Sequence, residues 1–590
     1  MDLIPFTQRN TNDLAAQRRA IEYNQALRIH STTMTCTKVL MPSRSHAFLA
    51  VAVAAAFLAL AGGSASLGVT LAQSAPPSKH PAAAARAKVR PDVAVFRSRA
   101  DAALLDANAQ KALWGVLVTD RDTGENLYEL NPERFFTPAS NAKIFTSALA
   151  LAELGPEYRF HTTLESPGVL DADGRLSGDL IFVGRGDPDL SNRKFPYAGK
   201  SERDGPVEKI LAEMADAAVT RGLKEVDGDI VGDDSYFPYD PYPAGWSVGD
   251  LFFTFGAPVS AISFNDNSFR VVVQPGARAG DPAVIAVEPE AALDCFTGEI
   301  TSGPGDTAPD FEVVRQPGTN FILVRGRIPV GHAAINLDFA ITDPAETAAR
   351  ALKQLLEARG VRITGGVRVM HAPPPDTSDA GDLPPAAVEH SANSLVLAQH
   401  DSQPLIESVR LMNKISQNLH AEILLRSVAR EKSGIGATGA ALKIEQDFLS
   451  AAGVADGDVV LSDGSGLSRD DLVTPRAVVA LLRYVARQPW GQDYVSTLPI
   501  AGVDGTLEGR MKSTPASGLI QAKTGGLEHV HATAGYATTL HGEHLVFSIF
   551  GNNDAAHGHD ATQVIDAICV AMVETLAAPA DTPAHHKKKK

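Results

Sequence analysis

The sequence predicts an α/β fold in which one domain is assembled from both ends of the chain. Three observations carry that expectation. The first folded stretch, about 96–155, reads as helix, hairpin, helix; the last, 520–577, reads as three strands and a helix; and the roughly 225 residues from 166 to 390 between them are strand- and turn-rich, as an insertion would be.

Phe96 to Ala112 has helical spacing at Ala100, Leu104, Leu105 and Ala109. Trp114–Asp120 and Glu125–Leu130, separated by Asp122-Thr-Gly124, make a hairpin. A buried helix is expected from near Pro138 to Gly155, with proline at its start and glycine at its end. The insertion carries strand-like runs at Gly178–Val183, Gly228–Gly232 and Asn320–Arg325, and His371 to Pro385 is a Pro- and Asp-rich break. Leu405–Ile415 and Leu419–Arg430 read as helices, Ile520–Lys523, Ala532–Thr539 and His544–Gly551 as strands, and Ala561–Ala577 as an amphipathic closing helix.

The ends have a different character. Met41-Pro-Ser-Arg-Ser-His precedes fifteen residues, Ala47 to Ala61, without a charge, and small residues continue to Ala72. This is the pattern of a secretory signal peptide, with Thr70-Leu71-Ala72 or Ser64-Ala65-Ser66 as the cleavage triplet; an uncleaved anchor is the alternative. The expected division is therefore 1–72 extension and signal peptide or anchor, 73–92 linker, 93–165 and 391–577 the two parts of the domain built from both ends, 166–390 inserted, and 578–590 a basic tail. His585-His-Lys-Lys-Lys-Lys reads as a solvated tail or as a peripheral contact with an anionic envelope surface.

Composition narrows the function. The 590 residues hold 53 Lys+Arg against 69 Asp+Glu, a net charge of −16, which disfavours nucleic acid as a partner because phosphate binding needs clustered cations. Three cysteines exclude a disulfide scaffold; an exported chain permits a bridge between Cys295 and Cys569, but they fall in different expected domains, which argues against one. His529-Val-His531 and His557-Gly-His559 lack further ligands at zinc-site spacing, so neither metal nor cofactor is expected.

Three short motifs carry chemistry. Ser140-Asn-Ala-Lys143 puts a hydroxyl and an amine on one helical face at a helix start, where burial and the helix field favour a basic lysine beside a nucleophile. The bland reading is a capping serine with a solvated lysine. Ser416-Gln-Asn418 lies between two helices and can project a hydroxyl and an amide; Ser-x-Asn recurs at Ser263 and Ser391 without that context. Lys523-Thr-Gly525, continuing into Gly526, offers charge, a donor and unobstructed backbone to a carboxylate; alone it would read as a turn lysine. Gly245-Trp-Ser-Val-Gly249 is a formal nucleophile-elbow pattern, but Pro238, Pro241 and Pro243 occupy the place of the strand such an elbow needs.

In this order the three motifs match the S-x-x-K, S-x-N, K-T-G set. With Thr137–Lys143, Gly186-Asp-Pro188, Gly245-Trp246, Ala257–Ala261, Met412–Glu422, Asp463-Gly-Ser-Gly-Leu-Ser-Arg469, Ala501–Leu507 and Lys523–Gly525, the chain resembles the D-alanyl-D-alanine carboxypeptidase/endopeptidase family of class C low-molecular-mass penicillin-binding proteins over about 95–577. Gln417 departs from the commoner Asp. The resemblance implies a serine β-lactamase/transpeptidase-like domain, an antiparallel sheet flanked by helices, interrupted by a large β-rich insertion. It implies that peptidoglycan stem peptides and β-lactams acylate Ser140, with Lys143 as base, Ser416 relaying a proton and Asn418 binding the substrate amide. Lys523 and Thr524 would hold the terminal carboxylate, with Gly525 beside them in the substrate-binding strand; Ser140 and Gly526 amides would form the oxyanion hole; and Asp233 in Gly232-Asp-Asp-Ser235 would line the pocket and read the cationic end of the stem peptide's side chain, an acidic turn being the alternative. A β-lactamase or esterase, and a non-catalytic wall-binding protein of the same fold, are the alternatives.

Overall fold

The computed structural model describes residues 90–106, 110–315, 321–374, 394–554 and 559–577. The expected signal peptide or anchor, nearly all of the linker, most of the Pro-rich break and the basic tail lie outside them. The first helix, Pro91–Leu104, begins two residues inside the stretch expected as linker, with proline in its first turn where no N–H is missed.

Both chain ends build one five-stranded antiparallel sheet. Its order runs Asn126–Leu130, Leu113–Asp120, His544–Asn552, Val530–Thr538, Ile520–Leu527, so the N-terminal hairpin lies directly beside the C-terminal strands. The register pairs Val116 with Ile549 and Lys523 with Ala534. Alternation along each strand feeds two cores. Val116 and Phe547 face a core built with Phe96, Ile565 and Met572 from the first and last helices. Leu117 and Val546 face the opposite core, with Ile144, Phe145, Leu424, Val428 and Leu482. Burial on both faces explains why seven of the eight residues of Leu113–Asp120 are buried.

The intervening chain forms its own sheets. Val367–Ala372, Ile230–Pro238, Leu180–Val183, His161–Ser166 and Leu395–Asp401 make a mixed five-stranded sheet, against which Lys209–Thr220 and Pro344–Ala358 pack through Leu211, Met214, Leu352 and Leu356. Residues 268–340 add two three-stranded sheets. In the five-stranded sheet, His161–Ser166 crosses the expected boundary at 165 and Leu395–Asp401 lies just beyond the one at 390, and the two strands pair with each other. There Ser402 N bonds Phe160 O and Leu405 N bonds Tyr158 O. We propose the junctions at Phe160 and Ser402 on that pairing.

Gly245–Gly249 belongs to neither strand nor helix. Cys295 and Cys569 are not joined in a disulfide, and Cys569 is buried among the C-terminal helix side chains. Among the described residues, no helix is long and apolar enough to cross a membrane.

Candidate active site

Ser140 sits in one 3-10 turn, Ala139–Asn141, that leads into the α-helix Ala142–Glu153. Ala139 holds a left-handed φ of 47°, which turns the chain sharply into the serine. Every residue from Ala142 to Leu151 is buried, Lys143 included. Its Nζ reaches Ser140 Oγ at 3.1 Å, Asn418 Oδ1 at 2.6 Å and the Ser465 carbonyl at 2.6 Å. Burial pulls this amine down to about 7, against the opposing charges of Asp463, Glu422 and Asp471. A neutral amine keeps two N–H groups for Asn418 and Ser465, and its lone pair then faces the Ser140 hydroxyl.

The second motif links two helices, Leu405–Ile415 and Asn418–Ser433. Ser416 ends the first in a left-handed conformation, φ 63°, which costs backbone energy and turns its hydroxyl towards Lys523. Gln417 caps the second, its Oε1 accepting Leu419 N at 3.0 Å, so a glutamine side chain does here what a shorter capping residue usually does. Asn418 is buried, and its Nδ2 donates to Phe255 O at 2.8 Å, leaving one N–H for a further acceptor. Phe255 lies in the stretch 166–390 expected as an insertion.

Lys523 is wholly buried on the outer strand of the catalytic sheet. Its Nζ donates to Ser416 Oγ at 2.9 Å and to Thr524 O at 2.7 Å. Burial, and then the charge of Lys143, hold it well below the usual lysine range. Thr524 Oγ1 meets Thr506 Oγ1 at 2.7 Å. Gly525 is required by packing, since a Cβ there would lie 2.6 Å from Pro138 O and 3.1 Å from the amide nitrogens of Ser140 and Asn141. Gly526 has open space beside it and is exposed.

The structure thus forms two hydrogen-bonded groups, Ser140–Lys143–Asn418 and Ser416–Lys523, which the 416–418 turn joins along the chain and Gly525 brings against the serine turn. Asp233 lies elsewhere in character: it is 1% exposed within the Ile230–Pro238 strand and accepts Ser235 N at 2.9 Å. Among the described residues, no cluster of three or more His, Cys, Asp or Glu is arranged to hold a metal ion.

A model of the D-Ala-D-Ala carboxypeptidase 3 (S13) family matches residues 97–573. The chain belongs to that S13 family. This S13 protein is 35% identical over 493 residues to the D-alanyl-D-alanine carboxypeptidase of Actinomadura sp. strain R39, covering 81% of this chain and 84% of the relative. It is 29% identical to the D-alanyl-D-alanine carboxypeptidase DacB of Haemophilus influenzae over 74% of this chain and 85% of that one. The crystal structure of penicillin binding protein 4 (dacB) from Haemophilus influenzae superposes with a TM-score of 0.67 at 27% identity, covering 81% of this chain and 97% of that chain. The S13 chain therefore has the penicillin-binding-protein fold that its motifs implied.

Sequence reasoning assigned no role to the loop that props the S13 site from behind. Asp463 to Ser468 supplies the Ser465 carbonyl to Lys143 and the Gly464 carbonyl to Thr146 Oγ1 at 2.6 Å. Gly466, with φ 78°, packs so tightly that a Cβ would come within 1.8 Å of Ala139 O. Beneath it Glu422 receives Gly464 N at 3.0 Å, and burial together with Asp463 raises that carboxyl to about 8. The segment was visible only as part of the family resemblance; its contacts with the serine turn are long-range.

Proposed function

We propose that this protein is a serine-type D-Ala-D-Ala carboxypeptidase acting outside the cytoplasm on peptidoglycan stem peptides, and that penicillin acylates it at Ser140. Membership of the S13 family and the names of its relatives support the reaction class. The observation that carries the serine mechanism is a buried, weakly basic Lys143 amine 3.1 Å from Ser140 Oγ.

Ser140 attacks the carbonyl between the two terminal D-alanines as Lys143 takes its proton. The amides of Ser140 and Gly526 receive the developing oxyanion. The proton taken by Lys143 returns by way of the Ser416 hydroxyl to the leaving amine, which frees the Lys143 amine again, while Lys523 and Thr524 hold the carboxylate of the departing D-alanine and Gly525 lets their strand lie against the serine turn. Asn418 steadies Lys143 and offers its remaining N–H to the substrate amide. Water then cleaves the acyl-enzyme. The same chemistry on a D-alanine joined to a diamino acid of a neighbouring stem is DD-endopeptidase work, which we include in the proposal.

Intact-mass spectrometry with benzylpenicillin tests the mechanism. The wild type should gain one adduct and Ser140→Ala none; a folded wild type without a serine-dependent adduct overturns it. Digestion of purified muropeptides then reads carboxypeptidase and endopeptidase products separately.

A further inference from the structure

Trp246 and Asp463 stand out because the chemistry above gives neither a task. They lie 217 residues apart, yet Trp246 Nε1 donates to Asp463 Oδ2 at 2.8 Å. The corner that carries the tryptophan is docked onto the Asp463 loop twice more. Arg469 N bonds Gly245 O at 3.2 Å, and Gly245, at φ 80°, leaves so little room that a Cβ would stand 2.2 Å from Ser468 Oγ.

Asp463 is the hub of its loop. It is wholly buried, and its two oxygens accept Gly466 N at 2.6 Å, Ser468 N at 2.8 Å, Ser465 N at 3.2 Å and Ser465 Oγ at 3.0 Å, besides the indole N–H. The loop so shaped presents the Ser465 carbonyl to Lys143 Nζ. One continuous hydrogen-bonded path therefore runs from the insertion through Asp463 and Ser465 to the amine beside Ser140.

We propose that Trp246 and Asp463 are positioning residues for Lys143, so that the inserted part of the chain helps to set the basicity and aim of the catalytic amine. This rests on the serine mechanism proposed above. Two effects are combined. The loop fixes the carbonyl that orients Lys143. The indole N–H also withdraws part of the charge from a carboxylate whose field favours the ammonium form. Other groups face the same space: Glu422 and Glu445 from two helices, Asp471 from the end of the loop, and Lys523 from the outer strand. Glu422, Glu445 and Asp471 are each pushed up by burial and by the neighbouring Asp463.

The test is the pH profile of the second-order rate of acylation by benzylpenicillin, measured on the full chain for wild type, Trp246→Phe and Asp463→Asn, with melting temperatures to show that each is folded. Without the indole donor, Asp463 exerts its full charge. The acid limb of the Trp246→Phe profile should therefore move up by about 0.5–1 pH unit, with a rate at pH 7 about threefold lower that recovers at high pH. Asp463→Asn, lacking the anion, should move the limb down and lower the plateau, since its loop loses acceptors. Profiles that superimpose on the wild type, or that fall by one factor at every pH, overturn the inference. A folded wild type that forms no Ser140 adduct would instead count against the serine mechanism itself.

Discussion

In the proposed mechanism Lys143 and Lys523 are identical side chains with different tasks. Both are wholly buried, but Lys143 lies among Asp463, Glu422 and Asp471, whereas for Lys523 the neighbouring charge that matters is Lys143 itself. The result is an amine near neutrality beside Ser140 Oγ and a second one on Ser416 Oγ, aimed where a substrate carboxylate would arrive. An incoming carboxylate favours the ammonium form of Lys523 and so completes its charge on binding. For the base the sign is opposite: only the neutral amine accepts a proton, so acylation should rise as pH climbs through about 7 and fade below it. Lys143→Ala should lose about 10²–10⁴-fold in acylation rate and flatten that limb, measured by stopped-flow or quenched mass spectrometry. The lysine spacing was readable, because Ser140 and Lys143 share one helical face. That Asn418 Oδ1 and Ser465 O would be the amine's other partners was not, since they lie 275 and 322 residues away in the chain.

At the scale of elements, the site is where a helix start, a helix-to-helix turn and an outer strand converge. Each brings a backbone feature that its sequence permits. Ser416 tolerates the left-handed turn, Gln417 caps the helix that follows, and Gly525 lets the Ile520–Leu527 strand close onto the Ser140 turn. Gly525→Ala should therefore separate strand and turn. Because the new Cβ meets backbone atoms of the serine turn, Pro138 O and the Ser140 and Asn141 amides, we expect a loss of about 1–3 kcal/mol in stability by denaturant titration and a larger fall in acylation, as the amide of Ser140 shifts. Thermal stability falling without any loss of acylation would contradict that geometry. The elements themselves were largely legible. The hairpin and the three C-terminal strands lie within a few residues of their expected positions, because alternation of apolar side chains is a local signal. The serine turn was expected as α-helix and is a 3-10 turn, a distinction decided by Gly466 and Gly525 packing against it rather than by its own residues.

Over the whole molecule, the inserted part is joined to the catalytic part by buried polar contacts as well as by the two crossings. Asp266, from the insertion, pairs with Arg193 and accepts from His420 Nε2 at 3.2 Å, on the same helix that carries Asn418. Burial alone would raise that carboxyl, but Arg193, His420 and Arg203 outweigh it and hold it well below the ordinary range. A carboxylate depressed in the fold stabilises it above the unfolded value of roughly 4, and that contribution fades as pH falls through the folded one. Asp266→Asn should thus lower the melting temperature at pH 7, by about 3–5 kcal/mol of stability, and the gap to wild type should narrow in acid. An unchanged melting point at neutral pH would show that the junction does not depend on this pair.

What the sequence determined by itself was local and chemical: the three motifs, their order, the helices and strands that bear them, and an intervening stretch of its own character. Such features follow from side-chain periodicity, capping and turn residues, which act over a few positions. The tertiary structure decided the rest. It placed two lysines within hydrogen-bond reach of two serines, buried both amines, and ran Trp246 and Asp463 in behind the base. Proton affinity depends on burial and on charges brought near by folding, and neither quantity exists until distant segments of the chain exclude water together.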